Sequence, residues 1–225
     1  MREQATGSPI MPESMRTRIT KEGVIAVIVI DSIQDALPLA TALVRGGVSA
    51  IELTLRTPVA LKAAELIKKE VPKMLVGVGT VLTLDQVQAV TDIGVDFAVS
   101  PGCNPKILKA AVKKGLPFAP GIMTPTDIEV AIGEGCSLLK YFPAESSGGL
   151  KHLKSMAAPY LHLGLQFIPL GGVNMTNASA YLNSPLIAAI GGSWLAKRDT
   201  IADNNWTQIE ENAQRARTLV NELNR

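Results

Sequence analysis

Cysteine and histidine are nearly missing from this 225-residue chain, at two of each. Cys103 and Cys136 form no CxxC pair, and a chain of this length buries a full core without a disulfide staple. Both are therefore expected as free, buried or half-buried thiols. His152 and His162 stand in no HExxH or HxH arrangement, so no metal site is expected. Aromatic residues are only 4% of the chain and the formal net charge is +2. That combination argues against stacking platforms and against the basic footprint of a nucleic-acid-binding protein. No hydrophobic run reaches the length of a membrane span; the longest clean one, residues 24–30, suits a strand. Residues 1–12 are polar and of mixed charge, without the basic-then-apolar order of a signal peptide. They read as a flexible tail on a cytoplasmic protein. What is present is 47% hydrophobic and 19% charged, the balance of a compact enzyme.

From residue 13 to 225 the sequence alternates apolar, β-rich runs with amphipathic segments and contains no linker or low-complexity tract, so one domain is expected. Strands are expected over residues 24–30, 50–54, 75–78, 97–100, 118–120, 138–141, 167–170 and 187–190. Helical periodicity occupies residues 33–45, 59–70, 84–93, 105–114, 125–134 and 150–156, with further helices over 13–21 and 206–224. Asp31-Ser32, Asn104-Pro105 and Thr124-Pro125 are helix starts, and Gly46-Gly47, Gly94 and Gly115 are stops. Eight strands separated by helices predict a parallel sheet closed as a (β/α)8 TIM barrel, with an extra N-terminal helix and a C-terminal helix. An open doubly wound sheet is the structural competitor.

Barrel enzymes build their sites on the loops that follow the strands. The run Leu138-Leu139-Lys140-Tyr141-Phe142-Pro143-Ala144-Glu145 puts a lysine at a strand's carboxyl end among apolar neighbours. Desolvation there disfavours the ammonium, and a neutral amine can attack a carbonyl carbon to form a Schiff base. A lysine that merely snorkels to water fits the same segment. On the second strand, alternation places Glu52 and Thr54 on one face and Leu53 and Leu55 on the other. An inward carboxylate is either a structural partner of Arg56 or a lysine, or a general acid/base beside Lys140. Gly77-Val78-Gly79-Thr80 lacks the third glycine of a nucleotide fingerprint and reads as close backbone approach plus one hydroxyl. Ser100-Pro101-Gly102 is a turn. Gly171-Gly172 and Gly191-Gly192-Ser193 follow the last two strands, where barrels bind phosphate through backbone N–H groups.

These motifs, in this order, resemble the class I aldolases for 2-keto-3-deoxy-6-phosphogluconate (KDPG) and 4-hydroxy-2-oxoglutarate (KHG), from about Met15 into the C-terminal helix. The stretches that carry the resemblance are Ile51 to Thr57, Gly77 to Leu82, Ser100-Pro101-Gly102, Lys140 to Glu145, Gly171-Gly172 and Gly191 to Trp194. The resemblance implies a homotrimeric barrel that needs no cofactor or metal and acts on a small-molecule 2-keto-3-deoxy acid. It implies Lys140 as the Schiff-base lysine and Glu52 as the general acid/base. Arg56 and Thr80 would orient the substrate carboxylate, and Pro101 and Phe142 would flank the substrate. Gly171, Gly172, Gly192 and Ser193 would hold phosphate. One departure stands out: the family's common Pro-Thr-Gly-Gly is Pro169-Leu170-Gly171-Gly172 here. Leucine removes one potential hydrogen bond, worth about 1 kcal/mol, and adds apolar bulk at the pyruvate end. The galactonate epimer as substrate, a phosphate-binding isomerase, and a metabolite-binding barrel without turnover are the alternatives.

Overall fold

The computed structural model describes residues 10–223. Nine short strands occur among them: β1 (Val24–Ile28), β2 (Ala50–Thr54), β3 (Leu75–Gly79), β4 (Phe97–Val99), β5 (Phe118–Ala119), β6 (Gly121–Ile122), β7 (Leu138–Tyr141), β8 (Gln166–Pro169) and β9 (Ile190–Gly192). Every pairing is parallel. β5-β4-β3-β2-β1-β9 form one hydrogen-bonded set and β6-β7-β8 another. The expected fifth strand is split in two at Pro120, which has no N–H to give, although its carbonyl still accepts from Lys140 N at 2.8 Å. The expected eighth strand, 187–190, is displaced toward the C-terminus. Ile187 makes a single parallel bridge to Phe167, and the ladder to β1 runs instead through Ile190, Gly191 and Gly192. Strand β1 stops at Ile28, two residues short of the apolar run.

The helices are α1 (Glu13–Glu22), α2 (Ala36–Arg45), α3 (Ala60–Glu70), α4 (Leu84–Asp92), α5 (Pro105–Lys114), α6 (Pro125–Gly133), α7 (Gly149–Ala157), α8 (Ala178–Leu182), α9 (Arg198–Ala202) and α10 (Trp206–Glu222). Their boundaries follow local chemistry. Thr83 with Gln86, and Thr124 with Asp127, close capping boxes on α4 and α6. Asn104 caps α5, with Pro105 in the first turn and Gly115 left-handed at the end. Such a cap contributes about 1 kcal/mol.

Side chains from the strands divide between two cores. Ala26, Ile28, Ile51, Leu53, Val76 and Val78 join the larger one, together with helix residues such as Leu39 and Ala63. Their alternates Ile25, Ala50, Leu75, Phe97, Leu138, Ile168 and Leu170 form a smaller core on the concave face of the curled sheet. Met11 and Ile19 belong to that inner core. Residues 1–9 of the expected tail lie outside the described residues, but the loose reading fails at its end. Ile10 and Met11 are buried, and Ile10 O accepts from Phe118 N at 3.3 Å. Ile10 packs into the larger core and Met11 into the inner one, and each gains more there than in water. Among the described residues, no helix is long and apolar enough to cross a membrane.

Cys103 is half-buried and Cys136 buried, both as free thiols. Burial is the main cause that pushes Cys103 up to about 11 and Cys136 to about 12, with the charge of Glu134 adding to both. An acid held neutral in this way stabilises the fold fully below its ordinary value of 9.0. That contribution is lost as pH rises through the folded-state values. Urea midpoints are therefore expected to fall between pH 9 and 11. Ellman's reagent should react slowly with the native protein at pH 8 and fast in urea; native thiols that react as fast as unfolded ones would contradict this.

Candidate active site

Because the strands are parallel, their carboxyl ends share one end of the curl, and a cavity of about 370 Å³ opens there. Its wall takes Val27 from β1, Glu52 and Thr54 from β2, and Thr80 and Pro101 from the residues after β3 and β4. The other side takes Lys140 from β7, Phe142 just beyond it, Leu170 and Gly171 after β8, and Gly191 and Ser193 at β9. Strand alternation, which aims Glu52 and Thr54 inward, also aims Lys140 inward from the opposite side.

Lys140 Nζ and Glu52 Oε1 meet at 2.9 Å, with side chains 7% and 2% exposed. A buried pair is costly to desolvate, so it is a poor source of stability. Its chemical content is a primary amine in direct proton-transfer contact with a carboxylate. The Lys140 Nζ also lies 5.5 Å from the centre of the Phe142 ring, within range for attraction by the ring face. Arg56 donates from Nε to Thr54 Oγ1 at 3.1 Å, and Thr54 donates to Ile28 O at 2.9 Å. That chain holds the guanidinium at the mouth. The charged groups on the wall are therefore two cations and one anion, a field suited to an anionic ligand.

Backbone geometry makes room for this arrangement. A Cβ at Gly79 would overlap the Glu52 carboxylate; the second glycine of Gly77-Val78-Gly79 is the space the carboxylate occupies. Next to it, Thr80 holds a left-handed backbone, φ 62°, a conformation that costs a non-glycine residue of order 1 kcal/mol and occurs most at functional sites. Gly79→Ala is expected to push Glu52 off Lys140. A displacement of about 1 Å can cost about 10²-fold in rate, so turnover should fall by at least that factor in steady-state assays. Wild-type turnover in a folded Gly79→Ala protein would contradict the reading.

Lys140, Glu52, Arg56, Thr80, Pro101, Phe142, Gly171 and Ser193 thus share one cavity. Gly172 and Gly192 do not line it. Gly172 is exposed beside Glu145, and Gly192 lies in β9 with the Trp194 indole where its Cβ would stand. The sequence places Gly191-Gly192 after the last strand; in the structure both lie within β9. Gly191 is needed because the Leu170 side chain fills its Cβ space. Val27 was missed, although alternation from Ile25 would have pointed it inward. His152, without a nameable partner in the sequence, sits 3.0 Å through Nδ1 from the Tyr141 hydroxyl, behind the lysine strand.

Comparison with known proteins places this architecture. The model of the family "Aldolase: KDPG and KHG aldolase" matches residues 15–212. The 2-dehydro-3-deoxy-phosphogluconate aldolase of Haemophilus influenzae is 42% identical over 83% of this chain and 87% of that protein. The KHG/KDPG aldolase of Escherichia coli K12 is 39% identical over 90% of this chain and 94% of its own length. Among solved structures, the KDPG aldolase from Legionella pneumophila, with pyruvate captured as a covalent carbinolamine intermediate, superposes with a TM-score of 0.84. It is 39% identical, over 88% of this chain and 96% of that one. Matching motifs, shared fold and near-complete coverage agree: this chain belongs to the KDPG and KHG aldolase family.

Proposed function

We propose that this chain is a class I aldolase. It cleaves 2-dehydro-3-deoxy-6-phosphogluconate to pyruvate and glyceraldehyde 3-phosphate, and 4-hydroxy-2-oxoglutarate to pyruvate and glyoxylate. The observation that carries this reading is the buried 2.9 Å contact between Lys140 and Glu52 inside a cavity with one net positive charge. Lys140 transfers a proton to Glu52, and the freed amine attacks the C2 carbonyl of the keto acid. Glu52 returns the proton to the carbinolamine hydroxyl, which leaves as water, and an iminium forms on Lys140 Nζ. The iminium is the electron sink for the next step. Glu52, again a carboxylate, takes the C4 hydroxyl proton. The C3–C4 bond breaks, its electron pair moves into the iminium, and the aldehyde departs. The enamine left behind is protonated at C3, and water hydrolyses the resulting imine to release pyruvate.

Arg56 and Thr80 orient the substrate carboxylate, a planar anion that suits a guanidinium. Pro101 and Phe142 flank the bound keto acid. The backbone at Gly171 and Ser193, on the cavity wall, takes the phosphate of the longer substrate, with Gly172 and Gly192 next to them in the chain. Leu170 makes the pyruvate end more apolar than a threonine would, and it is almost fully enclosed. The same proposal extends to architecture. The parallel sheet closes as a (β/α)8 barrel, with β5 and β6 as one strand. The second junction is supported by Phe167 N to Leu186 O at 2.8 Å and Ala188 N to Phe167 O at 3.0 Å. Residues 13–225 act as one domain, in a cytoplasmic homotrimer; light scattering at three times the chain mass is the expected result.

The test is pyruvate release from each substrate, coupled to lactate dehydrogenase. Turnover of both is expected. Turnover of neither, by folded protein, would contradict the aldolase reading and favour a barrel that binds metabolites without cleaving them.

A further inference from the structure

Behind the cavity wall, one carboxylate and one phenol link the loop after β7 to the turn after β8. The backbone of the first loop grips the second: Ala144 N donates to Leu170 O at 2.6 Å and Glu145 N to Gly171 O at 2.9 Å. The Glu145 side chain then lies against the turn itself, its Cβ and Cγ 2.6 and 2.7 Å from where a Cβ of Gly172 would stand. On the other side, the Asn174 and Asn177 amides both donate to Gly172 O, at 3.0 and 3.1 Å. The Glu145 carboxylate accepts a short hydrogen bond from Tyr181 on α8. Tyr181 is 2% exposed, and burial followed by that carboxylate pushes its phenol well above the ordinary range. A buried tyrosine thus anchors an exposed acid, and the acid fixes a two-glycine turn whose first residue lines the cavity.

We propose that Glu145 and Tyr181 are positioning residues for the Gly171-Gly172 turn, and through it for the distal phosphate of the substrate. The inference rests on the aldolase reading above. Neither side chain lines the cavity; each acts through the turn. Gly171 and Gly172 hold φ of 90° and 85°, so the turn has no side chains of its own to brace it and depends on its neighbours for its place. The Tyr181 hydroxyl is the one contact in this set that can be deleted while the buried ring stays.

The experiment compares wild type, Tyr181→Phe, Glu145→Ala and Glu145→Gln on phosphorylated 2-keto-3-deoxygluconate and on hydroxyoxoglutarate, which has no phosphate. Tyr181→Phe and Glu145→Ala are expected to raise KM for the phosphorylated substrate about 5- to 10-fold, as loss of one hydrogen bond would. Their kcat, and both constants for hydroxyoxoglutarate, should stay near wild type. Glu145→Gln keeps an acceptor for the phenol and should restore KM to within about 2-fold. An unchanged KM in Tyr181→Phe, with wild type active, contradicts this inference alone. So does a loss that falls equally on both substrates, the mark of a merely structural role. A wild type that cleaves neither substrate overturns the aldolase reading and this inference with it.

Discussion

A Lys140→Ala protein is expected to form no reducible adduct with pyruvate and to lose aldol cleavage by at least about 10⁴-fold, the scale seen when a covalent nucleophile is removed. Stability changes as well. Alanine leaves Glu52, 2% exposed, without its cation, and breaking a buried pair from one side costs about 3–5 kcal/mol. A fall in melting temperature is therefore part of the same result, and loss of activity has to be read on protein shown to be folded. Lys140→Arg separates the two effects. Arginine keeps a positive charge near Glu52 but offers no amine that can be freed for attack. It should be as inactive as the alanine variant with a smaller loss of stability. Measurable imine formation by either variant would remove Lys140 from its role.

Glu52→Gln carries the second-largest effect. Glutamine keeps the shape and can still accept from Lys140, so the cavity should survive with its packing intact. It cannot take up or return a proton. General acid–base catalysis supplies about 10²–10⁴-fold, and kcat is expected to fall within that range. Exchange of the pyruvate methyl protons with deuterated water, followed by proton NMR, reports enamine formation without any aldehyde. It should slow in parallel. If exchange and cleavage both ran at wild-type rates in Glu52→Gln, the proton-transfer role would belong to another group.

Much of this site was legible because strands obey a simple rule. Alternation alone set Glu52 and Thr54 on one face, and both line the cavity. The position of Lys140 at a strand's carboxyl end follows from the short apolar run before it. What alternation cannot report is the partner across the curl: that Lys140 meets Glu52, 88 residues away, is a property of the curled sheet. Glycine hides the end of the last strand. Gly191 and Gly192 fall after the strand expected over 187–190 because glycine is a poor strand former, yet Leu170 and the Trp194 indole fill their Cβ space and make them obligatory in β9. Gly79 reads as a site of close approach, and the group that approaches is the Glu52 carboxylate. Ile10 and Met11 were lost in a polar context, since two apolar residues give no period. The Glu145–Tyr181 contact spans 36 residues and two loops, beyond any local signal.

The most direct test of the Schiff-base account is reduction with borohydride in the presence of pyruvate, followed by peptide mapping by mass spectrometry. The account predicts a single pyruvyl-derived adduct, on Lys140, that disappears when either pyruvate or borohydride is left out. No adduct on folded protein in excess pyruvate, or an adduct on another lysine with Lys140 unmodified, would contradict it.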